Sequence, residues 1–522
     1  MTLITELEAA LKAAKDQAAS PEGLRLAAAM AAKSDPVGSL ADIPRTKTKP
    51  WAHQLRAFWF CWHKLGLSDP EPEGGALLAM DMGTGKTKVA IDVIQNGPIR
   101  TVLVCAPLAV VPTWPKEIST HFDGNLPLVT VLGKGPIKKR AATARDAWDR
   151  AAERSQVAVF VINHEAVWRE PFREFVLSRQ WDLLVVDESH RAKSPGGKFS
   201  KFLNVLRSRC ACRLALTGTP APRDHMDLYA QGRFIEISCF GSSFVSYQAR
   251  FGLWREIKTG RKDRRGVPIV VRKLIGVRNP EDLESRLDAL AYRVKADDVL
   301  DLPPAVVLRR TCELGKEERA IYEELRRELV VQIAGGWVTA NNALTKILRL
   351  QQIVQGWVKD EDGCMREVGS SKRKLLEDVL ETLDGQEPVV VFCRFHSDLD
   401  SVRRVCEDLG RGCLELSGRP SGKDGLHAFQ SGGGPVLAVQ IQAGGVGVDL
   451  SRAAYTIYYA PTYDMGAYEQ SLRRTRRPTE HKHATFFYYH LVAENTIDVQ
   501  VYQALKDKKK MADAVLAGIK GK

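Results

Sequence analysis

The sequence predicts an α/β protein: two doubly wound parallel-sheet lobes with helical and hairpin insertions. Three observations carry that expectation. Short runs of Val, Ile, Leu and Ala recur, each closed by a polar or Gly/Pro cluster. Near-continuous apolar runs suit strands buried on both faces of a parallel sheet. Helical stretches separate the runs, as crossovers in such sheets require. The series occurs twice, and 522 residues are too many for one ordinary core.

Residues 1–45 are rich in Ala and carry two helix-like stretches, LITELEAALKAAKDQAA and PEGLRLAAAMAAK, so they read as a helical N-terminal extension. Residues 46–300 form lobe 1, whose strand series is GALLAM, TVLVCAP, VAVFVINH, DLLVVDESH and CRLALTGTP. Near 250–275 the segment FGLWREIKTGRKDRRGVPIVVRKLIGV reads as a hairpin with a basic tip. The paired prolines of VKADDVLDLPPAVV mark the connection between lobes. Residues 301–510 form lobe 2, with a helical insertion near 315–358 and the series EPVVVFCRFHS, GCLELSG, GPVLAVQIQAGG, YTIYYAP and TFFYYHLVAEN. Residues 511–522 read as a C-terminal tail.

Lys and Arg outnumber Asp and Glu by 76 to 63, a net charge of +13. A basic excess favours an anionic partner, with nucleic acid the first candidate, and it serves solubility as well. Among the ten cysteines, Cys210 and Cys212 with Cys239 and His225 fit no common zinc spacing and read as buried thiols of the strand CRLALTG. Reduced thiols imply an intracellular protein. The N-terminus has acids early and no long apolar core, so no signal peptide is expected, and no stretch has the length of a membrane span.

The chemistry concentrates where the runs end. LAMDMGTGKTKVAIDVI leads from a strand through a glycine-rich turn, Met82, Gly83, Thr84 and Gly85, into a helix that opens with Lys86 and Thr87. Such a turn aims backbone N–H groups and a helix N-terminus at phosphate oxygens. Lys86 would reach the β- and γ-phosphates of ATP, and the Thr87 hydroxyl would hold Mg²⁺. Met80 stands where the general phosphate-loop pattern has its first glycine. About a hundred residues on, Leu183 to Val186 carry Asp187 and Glu188 to a strand end. Asp187 suits the Mg²⁺ shell, and Glu188 suits orienting the attacking water and accepting its proton. Upstream, Gln54 can offer a donor and an acceptor to the adenine edge. Trp51 beside it would stack on the base or belong to the core.

Together these residues resemble the helicase superfamily 2 ATPases, and other segments narrow the likeness to SNF2-type DNA helicases, most of all the compact phage and bacterial ones. LALTGTPAPRDHMDLY resembles the motif that couples ATP state to nucleic acid, at Thr217, Gly218 and Thr219. APLAVVPTWPKEI resembles motif Ia, with Pro107, Trp114 and Glu117. QIQAGGVGVDLSRA resembles motif V, with Gly444, Gly445, Gly447 and Asp449, and YEQSLRRTRRPTEH resembles motif VI, with Gln470, Arg474 and Arg477. KPWAHQLRA resembles the Q motif. The likeness runs from about Lys49 to about Leu505. Arg223, Gln440 and Arg476 depart from the residues common in relatives.

The resemblance implies RecA-like lobes, with ATP and Mg²⁺ as cofactors. It puts Gly447 and Asp449 among the nucleotide contacts and makes Arg477, with Arg474 beside it, an arginine finger toward the γ-phosphate. Pro107, Thr217, Gly218, Thr219, Arg394, Gly444 and Gly445 would touch nucleic acid. The hairpin cations Arg255, Lys258, Arg261, Lys262, Arg264 and Arg265 read as a solvated loop or as duplex contacts, and Lys134, Lys138, Lys139 and Arg140 form a weaker candidate of the same kind. Arg473 and Arg476 would face DNA.

The expectation is an ATP-dependent DNA helicase or translocase acting on duplex or branched DNA without sequence preference. It is expected as a monomer in the cytoplasm of a prokaryote or a phage-infected cell. The rivals are a duplex translocase that separates no strands, an RNA helicase and a non-hydrolysing clamp.

Overall fold

β1 (Gly74–Met80), β2 (Thr101–Ala106), β3 (Leu128–Leu132), β4 (Ala158–Asn163), β5 (Trp181–Asp187) and β6 (Cys210–Thr217) carry the apolar runs of the first half. They form one sheet in the computed structural model, which describes residues 44–517 apart from 223, 263–267, 301, 335–339, 360–363, 423, 442–447, 463, 477–482 and 484. β7 (Gly252–Lys262) and β8 (Pro268–Val277) pair as a separate two-stranded sheet, the expected hairpin. β9 (Ala291–Val294) joins the first sheet, whose order is β3-β4-β2-β5-β6-β1-β9, with every pairing parallel.

Every residue of β1 is buried because the sheet is covered on both faces. Alternation splits its side chains: Leu77 and Ala79 enter one apolar core, while Ala76, Leu78 and Met80 enter the other. Full burial of a Leu or Val is worth about 1.5–3 kcal/mol, so these strands are fixed by packing. Gly75 admits a close approach at the strand start, since a Cβ there would lie 2.2 Å from the Ile235 carbonyl oxygen. β1 sits between β6 and β9 while β2 lies beyond β5. This reversal opens a crevice at the carboxyl ends of the strands, where open α/β sheets bind ligands.

The chain forms two compact units, Met1–Ile257 with Arg272–Leu300, and Lys258–Val271 with Asp301–Lys522. The second unit contains β10 (Ala305–Cys312), β11 (Trp357–Lys359), β12 (Met365–Glu367), β13 (Val389–Cys393), β14 (Cys413–Leu416), β15 (Val436–Gln440), β16 (Tyr455–Tyr458) and β17 (Phe486–Ala493). Its main sheet runs β10-β17-β16-β13-β15-β14, again all parallel. Two apolar cores lie on its faces. The helices Lys316–Ala334 and Ala340–Val354 form the expected helical insertion and share a smaller core with the helix Ile497–Ala517.

The stretch read as the connection is bordered by strands: β9 closes one edge of the first sheet and β10 opens the second. β3 also joins the first sheet without having stood out in the sequence. The last helix runs to Ala517, into the expected tail. Of the N-terminal extension, residues 1–43 lie outside the described residues. Among those described, no helix is long and apolar enough to cross a membrane.

Candidate functional site

The loop from Asp81 to Gly85 connects the end of β1 to the helix Lys86–Asn96. Gly83 and Gly85 take φ values of +82° and +86°, a left-handed backbone that L side chains avoid. Gly85 also has no room for a side chain: a Cβ would lie 2.2 Å from Gln54 Nε2. Thr84 closes the loop on itself, its hydroxyl donating to the Asp81 carbonyl at 2.6 Å. Asp81 anchors the loop to the next segment, its carboxylate accepting from the Ala296 N–H at 2.9 Å. Lys86 is buried and folds back over the loop, donating to the carbonyl oxygens of Met80 at 2.8 Å and Asp81 at 3.2 Å. Thr87 follows in the first turn of the helix, half-buried.

Gln54 and His53 brace this loop from the helix Ala52–Lys64. Gln54 Nε2 donates to the Thr84 carbonyl at 3.1 Å, and its Oε1 accepts from the Trp51 N–H at 2.9 Å. His53 Nε2 lies 2.9 Å from the same carbonyl oxygen. Trp51 is 46% exposed, so of its two readings the core one fails.

Asp187 ends β5 buried, its carboxylate accepting from Trp114 Nε1 at 3.3 Å and from the Glu188 N–H at 2.9 Å. Burial pushes its carboxyl up to about 7; Glu188 adds to the rise, and the Lys86 ammonium opposes it. His164 Nε2 lies 2.9 Å from the Asp187 carbonyl oxygen and 3.2 Å from that of Cys105, so an Nε2–H bridges the ends of β5 and β2. Burial holds that imidazole down at about 4, hence neutral. Glu188 adopts φ +48°, and its Oε2 lies 3.2 Å from His190 Nδ1. The same nitrogen lies 3.0 Å from the Thr217 hydroxyl, which accepts from the Thr219 N–H at 3.1 Å. A chain of polar contacts therefore joins the acidic end of β5 to the loop after β6. Gly218 lies over the glycine-rich loop, a Cβ there reaching 3.5 Å from the Met80 carbonyl oxygen and the Met82 nitrogen.

These contacts bring Gln54, Met82, Gly83, Thr84, Gly85, Lys86, Asp187, Glu188, Thr217, Gly218 and Thr219 together at the strand ends of the first unit. Pro107 is buried just after β2, its carbonyl accepting from Val110 N at 2.8 Å. Cys210 and Cys212 are buried in β6, and His225 Nε2 lies 2.9 Å from the Phe251 carbonyl oxygen. Three features of the site escaped the sequence reading. His190 and His164 sit in the strand-end patterns DESH and VINH, but their partners are remote in sequence, and Gln231 had no motif to mark it.

In the second unit, Arg394 follows β13. Its guanidinium donates to Gln351 Oε1 at 2.7 Å, which ties it to the helix Ala340–Val354. Asp449 caps a turn by accepting from the Ser451 N–H at 2.9 Å. Arg474 is buried near the end of the helix Met465–Thr475, and its carbonyl accepts from Leu450 N at 3.0 Å. Arg476 Nε donates to the Pro303 carbonyl at 2.7 Å. Arg477, Gly444, Gly445, Gly447, Arg223, Arg264 and Arg265 lie outside the described residues, and of Arg261 and Lys262 the backbone alone is described, in β7.

The residues present fit a magnesium ion. Two adjacent carboxylates end β5, and the Asp187 carboxyl is raised chiefly by burial and then by Glu188 beside it, a cost to its charged form that a divalent cation would offset. No cluster of three or more His, Cys, Asp or Glu able to hold a metal occurs among the described residues. Mg²⁺ is ordinarily held by one or two carboxylates together with water and phosphate, so a sparse donor set is what it needs.

The model of the SNF2-related domain matches residues 45–357, and that of the helicase conserved C-terminal domain matches residues 371–479. The chain is 25% identical over 463 residues to the putative protein p41 of Acyrthosiphon pisum secondary endosymbiont phage 1, covering 84% of this chain and 94% of that protein. It is 24% identical to an uncharacterized ATP-dependent helicase of Mycoplasma genitalium, with 85% of this chain and 40% of that one covered. Identity to the human SWI/SNF-related matrix-associated actin-dependent regulator of chromatin subfamily A member 1 is also 24%, with 84% and 41% covered. The chain thus spans about two fifths of these last two relatives. The Sulfolobus solfataricus SWI2/SNF2 ATPase core in complex with dsDNA aligns over 92% of this chain and 96% of its own, with a TM-score of 0.41 and 20% identity.

Proposed function

The chain belongs to the SNF2-related family and is an ATP-hydrolysing enzyme of the helicase class; from that premise we propose that it is a motor coupling hydrolysis to movement along DNA. Its substrate on this reading is duplex or branched DNA of any sequence. The observation that carries the reading is the run of contacts from Glu188 through His190 to Thr217 and Thr219. It gives the state of the nucleotide site a physical path to a loop that can bear on nucleic acid.

In this reading Lys86 exchanges the Met80 and Asp81 carbonyls for phosphate oxygens, and the backbone of Met82 to Gly85 cradles the phosphates. Thr87 and Asp187 would hold Mg²⁺, which when bound supplies charge neutralisation at the β- and γ-phosphates. Glu188 takes the proton of the attacking water. Gln54 reads the adenine. Arg474, Arg477, Gly447 and Asp449 are the further nucleotide contacts that the resemblance implies, with Arg477 as the arginine finger. Gly218, Arg394, Gly444 and Gly445 contribute contacts to DNA phosphates, which carry no sequence information, whereas Pro107, buried and without an N–H, offers a phosphate no donor. The hairpin cations Lys258, Arg261, Lys262, Arg264 and Arg265 add to the same grip.

ATPase rates measured with single strand, duplex, fork, four-way junction and RNA test the assignment. Stimulation should be greatest with branched or duplex DNA and equal for unrelated sequences of the same structure. RNA stimulating as well as DNA would overturn the DNA assignment, and a strict single-strand requirement would overturn the duplex one. A strand-displacement assay on the same fork separates helicase from translocase. Neutralising the five hairpin cations should lower the magnitude of the log-affinity against log-salt slope by about 0.7–0.9 for each phosphate no longer gripped.

A further inference from the structure

We infer that Gln231 is a positioning residue whose single amide makes the acidic end of β5 and the loop after β6 move as one body. Gln231 lies in the helix Asp227–Ile235 and is 1% exposed. Its Oε1 accepts from the Ser189 hydroxyl at 2.9 Å. Its Nε2 donates to the Pro220 carbonyl at 2.6 Å and to the Asp227 carbonyl of its own helix at 2.9 Å. Ser189 follows Glu188 directly and Pro220 follows Thr219 directly. One side of the amide thus grips the acidic segment, and the other grips the loop.

The chemistry of the amide makes this link hard to replace. It needs an acceptor for a buried hydroxyl and donors for two carbonyls on one short, planar group, and among neutral side chains only the amides of Gln and Asn carry an acceptor oxygen with two N–H donors on one nitrogen. An apolar side chain of similar volume fills the space but strands the Ser189 hydroxyl and the Pro220 carbonyl, each a buried polar group that costs about 1–3 kcal/mol unpaired. The link also differs from the one through His190. That contact uses the Glu188 carboxylate, the group that must engage water during turnover. The Gln231 contacts use the residues after Glu188 and Thr219, so they persist whatever Glu188 does.

The inference rests on the reading of the loop after β6 as the element through which DNA stimulates hydrolysis. The test uses the full chain and compares Gln231→Met, Gln231→Glu, Ser189→Ala and the double variant Ser189→Ala/Gln231→Met. Turnover and the KM for ATP are measured with and without a linear duplex, together with thermal midpoints. Gln231→Met should lower the stimulation ratio about tenfold while leaving the KM for ATP within about twofold, and adding Ser189→Ala should do little more. Gln231→Glu should recover the ratio, relative to wild type at the same pH, when the buried acid is protonated at low pH. Protonated, it again presents a donor and an acceptor. A wild-type ratio in Gln231→Met sinks the inference. So does a fall in turnover and midpoint together at an unchanged ratio, which describes an ordinary core amide. Absence of stimulation by any DNA in the wild type defeats the DNA reading instead. Additivity of Ser189→Ala and Gln231→Met in unstimulated turnover then decides against the link, and non-additivity decides for it.

Discussion

Glu188 carries a left-handed backbone at φ +48°, a conformation that costs a residue with a Cβ on the order of 1 kcal/mol or more and persists only when its surroundings demand it. Here the demand comes from both directions: its N–H donates to the Asp187 carboxylate and its own carboxylate meets His190. Glu188→Gln is expected to bind ATP and to lose turnover by about 10²–10⁴-fold, because the carboxylate proposed as general base is gone. Lys86→Ala should fail at the earlier step of phosphate binding, and nucleotide affinity measured beside steady-state rates distinguishes the two. Asp187 yields a pH prediction. Its carboxyl is raised to about 7 from an ordinary 3.8. Between those values the unfolded chain holds fewer protons than the folded one, so this group's contribution to stability falls as pH rises through that window. Asp187→Asn should therefore raise the thermal midpoint of the nucleotide-free protein at pH 8, with the gain shrinking toward pH 4, while abolishing hydrolysis. A midpoint difference independent of pH would contradict it.

Among the elements, the helices Ser371–Glu381 and Ile497–Ala517 are joined by an ion pair, Lys372 with Asp498, both side chains fully buried. Lys372→Met should cost about 3–5 kcal/mol because it leaves the Asp498 charge buried alone, and adding Asp498→Leu should restore most of the stability. Chemical denaturation of the three proteins tests both expectations. The strands were legible in the sequence where two-sided burial wrote a long apolar run, as in β1, β4 and β5. They were not legible where burial is partial or the run is short. β10, AVVLRRTC, is an edge strand with most of its residues exposed, so its arginines broke the apolar pattern. β9 has four residues beside a polar stretch and merged with the connection. The glycine-rich turn and the acidic pair stood out in the sequence because each is a contiguous run of residues. His164, His190 and Gln231 did not, since their function depends on partners that folding supplies from 23 to 59 positions away.

On the scale of the whole molecule, the duplicated strand series was enough to predict two sheets. The sequence could not say which residues of the second unit serve the nucleotide, and here the resemblance carries the weight. Arg477→Ala is expected to reduce hydrolysis by about 10³-fold with ATP affinity nearly unchanged. A variant whose sole defect is DNA affinity would move that arginine to the DNA surface. Arg476, on the adjoining position, is already engaged by the Pro303 carbonyl. The arginines of RRTRRP therefore do not form one uniform basic face.

Gln54 has a consequence for how the base enters. Both ends of its amide are occupied, by Trp51 and by Thr84. A purine that claims them must release those partners, so recognition is an exchange of hydrogen bonds rather than an addition. The net gain from choosing adenine over guanine is then small, and selectivity between nucleotides should be mild compared with the dependence on the triphosphate. The same exchange leaves the Thr84 carbonyl to His53 alone. On the proposed reading, a base that takes the Gln54 amide removes one of the two side-chain contacts on a carbonyl of the glycine-rich loop.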